Sequence, residues 1–137
     1  MAVSYADIKV LVVEDDAEAR QSYRHMLGAL GITQVFLSSD GRQGMAFMDV
    51  ELTDCDLVMC DWNMPKMTGV ELLRQLRSVN PDIPFLMVTG RADAESVMEA
   101  KASGVTAYIR KPFSLNELRM KLDKIFIKGD KKGSIPK

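Results

Sequence analysis

Two residue periodicities alternate along the whole chain, and that alternation restricts the fold more than any other feature. Short apolar runs rich in β-branched residues occur at Ile8–Val13, Val35–Leu37, Leu57–Cys60, Phe85–Val88 and Ala107–Ile109, with the length and composition of buried strands. Segments with helical spacing separate them. Tyr23, Met26, Leu27 and Leu30 follow the i, i+3, i+4, i+7 pattern, and Gly31 is placed to end that helix. Val70, Leu73 and Leu76 make a second stripe, and Ala94, Val97, Met98 and Lys101 a weaker third that closes at Gly104. The clearest stripe is Leu115, Leu118, Leu122, Ile125 and Phe126. Ser114 opens it as an N-cap with Glu117 three residues later, the signature of a capping box. The segment from Ser39 to Met48, with Met45 and Met48 inward, is the weakest helix because Gly41 and Gly44 lower its propensity. Strand and helix in turn, five times over, predict an α/β fold. Its core is a doubly wound five-stranded parallel sheet with helices on both faces.

A length of 137 residues suits one such domain. At 47% hydrophobic and 27% charged, the composition is that of an ordinary soluble protein. A net charge of −1 argues against nucleic acid or a membrane surface as the main partner. No apolar stretch is long enough to span a bilayer, and the first residues lack the basic and apolar regions of a secretion signal. Two cysteines, Cys55 and Cys60, are too few for a disulfide framework; Cys60 sits in an apolar run and reads as a buried thiol. A cytoplasmic protein without membrane insertion is expected. Residues 6–127 form the expected domain, and 128–137 a basic, frayed tail with four lysines against Asp130.

In open parallel sheets, ligands bind beyond the carboxyl ends of the strands. The first strand is followed by Glu14-Asp15-Asp16, the third by Asp61, the fourth by Thr89-Gly90 and the fifth by Arg110-Lys111-Pro112. One edge of the sheet therefore gathers carboxylates, a hydroxyl and an ammonium. Carboxylates brought this close do not all ionise comfortably without a cation between them. A hard divalent ion with oxygen ligands, Mg²⁺ above all, meets that need. An aspartate beside such an ion can attack phosphorus and carry the phosphoryl group, with Thr89 donating a hydrogen bond and Lys111 supplying positive charge.

The motifs Val12-Val13-Glu14-Asp15-Asp16, Asp61-Trp62-Asn63-Met64-Pro65-Lys66-Met67-Thr68-Gly69, Val88-Thr89-Gly90 and Tyr108-Ile109-Arg110-Lys111-Pro112-Phe113 resemble those of bacterial two-component response-regulator receiver domains. Among these, the chain is most similar to the single-domain chemotaxis regulators. The likeness spans roughly residues 6 to 127. It implies a flavodoxin-like sheet in the order 2-1-3-4-5. It also implies Asp61 as phosphoacceptor, with Glu14, Asp15, Asp61 and the Asn63 carbonyl around Mg²⁺. Thr89 and Lys111 would contact the phosphoryl group, Lys111–Pro112 would be cis, and Tyr108 would be the aromatic switch residue. The implied partners are a sensor histidine kinase, a target that reads the phosphorylated form and a phosphatase. Such a protein catalyses its own phosphorylation and dephosphorylation without separate small-molecule turnover. With no output segment recognisable after Phe126, signalling by protein contact is expected.

The chain departs from the chemotaxis pattern in having Glu14 where Asp is usual and Gly90-Arg91 after Thr89. Three other functions compete. A phosphorelay intermediate would pass the phosphoryl group to a histidine phosphotransfer domain. An aspartyl-nucleophile phosphohydrolase of the haloacid-dehalogenase type would carry a second Asp where Asn63 stands. A flavin carrier would need a phosphate-binding loop where Glu14-Asp15-Asp16 repels phosphate. Trp62 is expected at the rim of the site, partly exposed. His25 is expected in solvent.

Overall fold

A computed structural model describes residues 5–44, 46, 55–64, 66–90 and 94–129. Among these, β1 (Lys9–Val13), α1 (Ala17–Ala29), β2 (Gln34–Ser38), β3 (Leu57–Asp61), α2 (Gly69–Val79), β4 (Phe85–Thr89), α3 (Ala94–Ala102), β5 (Ala107–Arg110) and α4 (Leu115–Gly129) follow one another. Residues 41–44 are also helical. Met45, Met48, Pro65, Arg91 and residues 130–137 lie outside the described residues. All five strands pair in parallel, as the alternation implies, and in the order β2-β1-β3-β4-β5 that the resemblance implies.

Every residue of β3 and β4 is buried, which explains why these strands read as continuous apolar runs and not as alternating ones. Successive side chains point to opposite faces, and each face has its own core. Val10, Val12, Met59, Leu86, Val88 and Ile109 pack with Tyr23 and Leu27 of α1 and with Leu118, Leu122 and Phe126 of α4. On the other face, Leu11, Val13, Val58, Cys60, Phe85 and Met87 pack with Val70, Leu72, Leu73 and Leu76 of α2 and Ala100 of α3. Burying a single such Leu or Phe side chain contributes about 1.5–3 kcal/mol.

Local signals set where the helices begin and end. Asp16 caps α1 by accepting from the Ala19 N–H at 2.8 Å. Gly31, with φ +97°, reverses the chain after α1, a conformation that costs glycine no Cβ clash. The Ser114–Glu117 capping box forms as expected, with N–H to side-chain bonds of 3.1 and 3.0 Å. A second box, Thr68 with Glu71, starts α2.

Two stripes differ from the sequence expectation. In α3 the buried positions are Ser96 and Ala100, while Met98 is 68% exposed and Lys101 faces solvent. Both inward residues are small, so residue size hides the inward face from a hydrophobicity pattern. Leu115, the first residue of α4, is also exposed because the helix has not yet turned onto the sheet.

Candidate functional site

Parallel register brings the predicted residues to one edge. Val13 lies opposite Cys60, so Glu14 leaves β1 level with Asp61 at the end of β3. Asp61 lies opposite Val88, which puts Thr89 one residue further along β4. Thr89 in turn lies opposite Arg110, and Lys111 follows, its N–H donating to the Thr89 carbonyl at 2.8 Å. The Lys111–Pro112 peptide is cis.

Carboxylate oxygens of Glu14, Asp15 and Asp61 all lie within 4.8 Å of one another. Glu14 and Asp61 are buried, at 2% and 5% exposure, and Asp15 is exposed. Lys111 Nζ stands 2.9 Å from Asp61 Oδ1 and 3.6 Å from Glu14 Oε1. The second distance is beyond hydrogen-bond reach. Glu14 Oε1 is therefore a buried carboxylate oxygen that accepts no hydrogen bond. Its partner oxygen Oε2 accepts from the Asp16 N–H at 3.2 Å.

An unsatisfied oxygen of this kind is costly unless a positive charge reaches it. Burial pushes the Glu14 carboxyl up to about 7, with Asp15 and Asp61 adding to the rise and the Asp16 N–H and Lys111 opposing it. Burial likewise holds Asp61 above the usual carboxylate range, although Lys111 draws it down. For Lys111, burial acts to lower the ammonium, but the hydrogen bond and charge of Asp61 outweigh it and hold the group above its ordinary value. One lysine thus faces three acids. The donor set, all oxygen and with one orphaned atom, fits a hard divalent cation such as Mg²⁺.

Thr89 is buried at the end of β4, Asn63 is exposed in the loop after β3, and Tyr108 is half-buried on β5. Lys121 Nζ lies 5.4 Å from the centroid of the Tyr108 ring, within cation–π range. Trp62 corrects the expectation of a partly exposed rim residue. It is 5% exposed and belongs to the core beneath the site, its backbone N–H donating to the Val88 carbonyl at 2.9 Å. His25 is exposed, as expected.

The loop after β3 is held tightly. The Gly69 N–H donates to the Trp62 carbonyl at 2.9 Å, and Lys66 takes a left-handed φ of 70°. A Cβ on Gly69 would stand 2.5 Å from the Asp61 carbonyl oxygen and 3.1 Å from Trp62 Cα. Glycine there lets α2 start directly against the backbone of the candidate phosphoacceptor.

One residue that sequence reasoning missed is Arg20. Its Nη1 donates to the carbonyls of Glu14 at 2.7 Å and Asp15 at 3.1 Å. Helical side chains tilt toward the N-terminus, so an arginine in the first turn after an acidic loop was the available signal.

The family model for the response regulator receiver domain matches residues 10–123. The chain is 36% identical over 127 residues to chemotaxis protein CheY-3 of Vibrio cholerae serotype O1, covering 91% of this chain and 96% of that one. It is also 36% identical over 121 residues to chemotaxis protein CheY of Pseudomonas aeruginosa, covering 87% and 96%. The solved structure of V. cholerae chemotaxis protein CheY4 superposes with a TM-score of 0.80 at 34% identity, covering 88% of this chain and 99% of that one.

Proposed function

We propose that this chain, which belongs to the family of response regulator receiver domains, accepts a phosphoryl group on Asp61 from a histidine kinase and signals through a protein partner. One observation carries the reading. A buried acid ends a central strand with two further acids and one lysine gathered around it.

In this reading an Asp61 carboxylate oxygen attacks phosphorus, the bond from phosphorus to the donor breaks, and an acyl phosphate remains on Asp61. Burial removes water from the nucleophile and strengthens every charge interaction around it. Lys111, already 2.9 Å from Asp61, keeps its ammonium where the phosphoryl oxygens come to rest. Thr89 offers a hydroxyl from the neighbouring strand. Glu14, Asp15, Asp61 and the Asn63 carbonyl would hold Mg²⁺, which when bound neutralises phosphoryl charge. Tyr108, half-buried on β5, is the switch residue that would turn as Thr89 follows the phosphoryl group. Phosphorylation then shifts an existing equilibrium between two surfaces. Output of chemotaxis type is supported by the relatives named as chemotaxis proteins.

The test is treatment with acetyl phosphate and Mg²⁺ followed by peptide mass spectrometry. One phosphoryl mass on Asp61 is expected, absent in Asp61→Asn and in EDTA. A modified residue elsewhere, or an unmodified chain, refutes the reading.

A further inference from the structure

The loop Glu14-Asp15-Asp16 is short, leaves the sheet at once and carries two of the three clustered acids. Its backbone is fastened at several points. The Glu14 N–H donates to the Ser38 carbonyl at 3.0 Å, which holds the loop's start to β2. Asp16 caps α1, and the Arg20 N–H donates to the Asp16 carbonyl at 2.9 Å, which holds its end. Between those ends, the peptide carbonyls of Glu14 and Asp15 turn toward one nitrogen, Arg20 Nη1, at 2.7 and 3.1 Å. That nitrogen carries two hydrogens, so it satisfies both acceptors together. Fixing two successive carbonyls fixes the peptide planes on either side of Asp15. The direction in which the Asp15 side chain leaves the loop is set with them.

We propose that Arg20 is a positioning residue for cation binding: by bridging the Glu14 and Asp15 carbonyls it holds both side chains toward Asp61. This rests on the reading of Glu14, Asp15 and Asp61 as a Mg²⁺ site. The sign of the effect separates positioning from simple electrostatics. A guanidinium beside an acidic cluster repels an incoming dication, so on charge alone its removal tightens Mg²⁺ binding. Positioning requires the opposite result, because residues that orient ligands typically contribute about 10–100-fold in metal affinity.

Isothermal titration of the full chain with MgCl₂ at pH 8 tests this, alongside melting in EDTA. Arg20→Gln removes charge and reach together and is expected to weaken Mg²⁺ about tenfold. Arg20→Lys keeps the charge and part of the reach, and is expected to recover part of the loss. If Arg20→Gln does not fold, Arg20→Lys carries the test, with affinity about threefold weaker than wild type expected. Wild-type or tighter affinity in Arg20→Gln, or wild-type affinity in Arg20→Lys where that variant must stand alone, overturns the proposal. A lower melting point at unchanged affinity assigns Arg20 to the fold alone and also overturns it. A wild-type chain that binds no Mg²⁺ overturns the cation site itself, a result distinct from loss of the arginine's role.

Discussion

Gly69→Ala offers a direct test of how closely α2 is fitted to the end of β3. The added Cβ would stand 2.5 Å from the Asp61 carbonyl oxygen, 2.8 Å from Met87 Sδ and 3.1 Å from Trp62 Cα. The methionine sulfur can swing aside, although Met87 is fully buried. The two backbone atoms cannot. Gly69 is also unable to retreat, because its N–H is bonded to the Trp62 carbonyl at 2.9 Å. Overpacking of this kind typically costs about 1–3 kcal/mol, and with two rigid neighbours the upper half of that range applies. An unfolding entropy of about 2.1 cal/mol/K per residue over 137 residues gives about 0.29 kcal/mol/K. A cost of about 2–3 kcal/mol therefore lowers Tm by about 7–10 °C, read by scanning calorimetry. Gly28→Ala is the matched control. Nothing lies within 4 Å of its Cβ position near the end of α1, and the gain in helix propensity, about 0.5–1 kcal/mol, raises Tm by about 2–3 °C. A Gly69→Ala protein that melts within about 1 °C of wild type would refute the steric argument, since no contact of this length leaves the backbone undisturbed.

The Glu14 carboxyl, raised from 4.5 to about 7 by burial, binds its proton more tightly folded than unfolded. Its contribution to the stability of the metal-free protein is thus full below about pH 4.5 and is lost as pH rises through about 7. Relative to wild type in EDTA, Glu14→Gln should gain between pH 5 and 8, by at most about 3 kcal/mol, and a gain that runs the other way contradicts the assignment. Thr68→Ala removes the hydroxyl that accepts from the Glu71 N–H at 3.2 Å, and the lost cap should cost about 1 kcal/mol, or about 3 °C in Tm by thermal circular dichroism. Thr68→Ser should restore most of it; no loss in Thr68→Ala would mean that the packing of α2 alone fixes its start.

The strands and their parallel pairing follow from features that a sequence displays directly, whereas their order rests on the family resemblance. Runs such as Phe85–Val88 are apolar throughout because both faces of the sheet are covered, and Ser114 with Glu117 announces a helix start through two hydrogen bonds made within four residues. The acids, the hydroxyl and the lysine were legible for the same reason, since each directly follows a strand and parallel register does the rest. What was hidden depends on distance across the fold. Ser96 and Ala100 form the inward face of α3 although they are small, whereas a pattern search favours the larger Met98. Trp62 was expected at the rim because it follows Asp61, yet the chain turns there and drives the indole into the core. The Arg20 bridge depends on how a three-residue loop folds back over a helix end, which spacing alone does not encode.

Lys111 comes 50 positions after Asp61 in the chain, and the acids of β1 come earlier still. During synthesis the negative groups therefore emerge first and remain without the Lys111 ammonium until β5 docks against β4. A ribosome-bound fragment ending before β5 carries Asp61 but not the Lys111 ammonium. The candidate site is thus completed only by the last strand of the sheet, and a truncated or unfinished copy displays its acidic half alone.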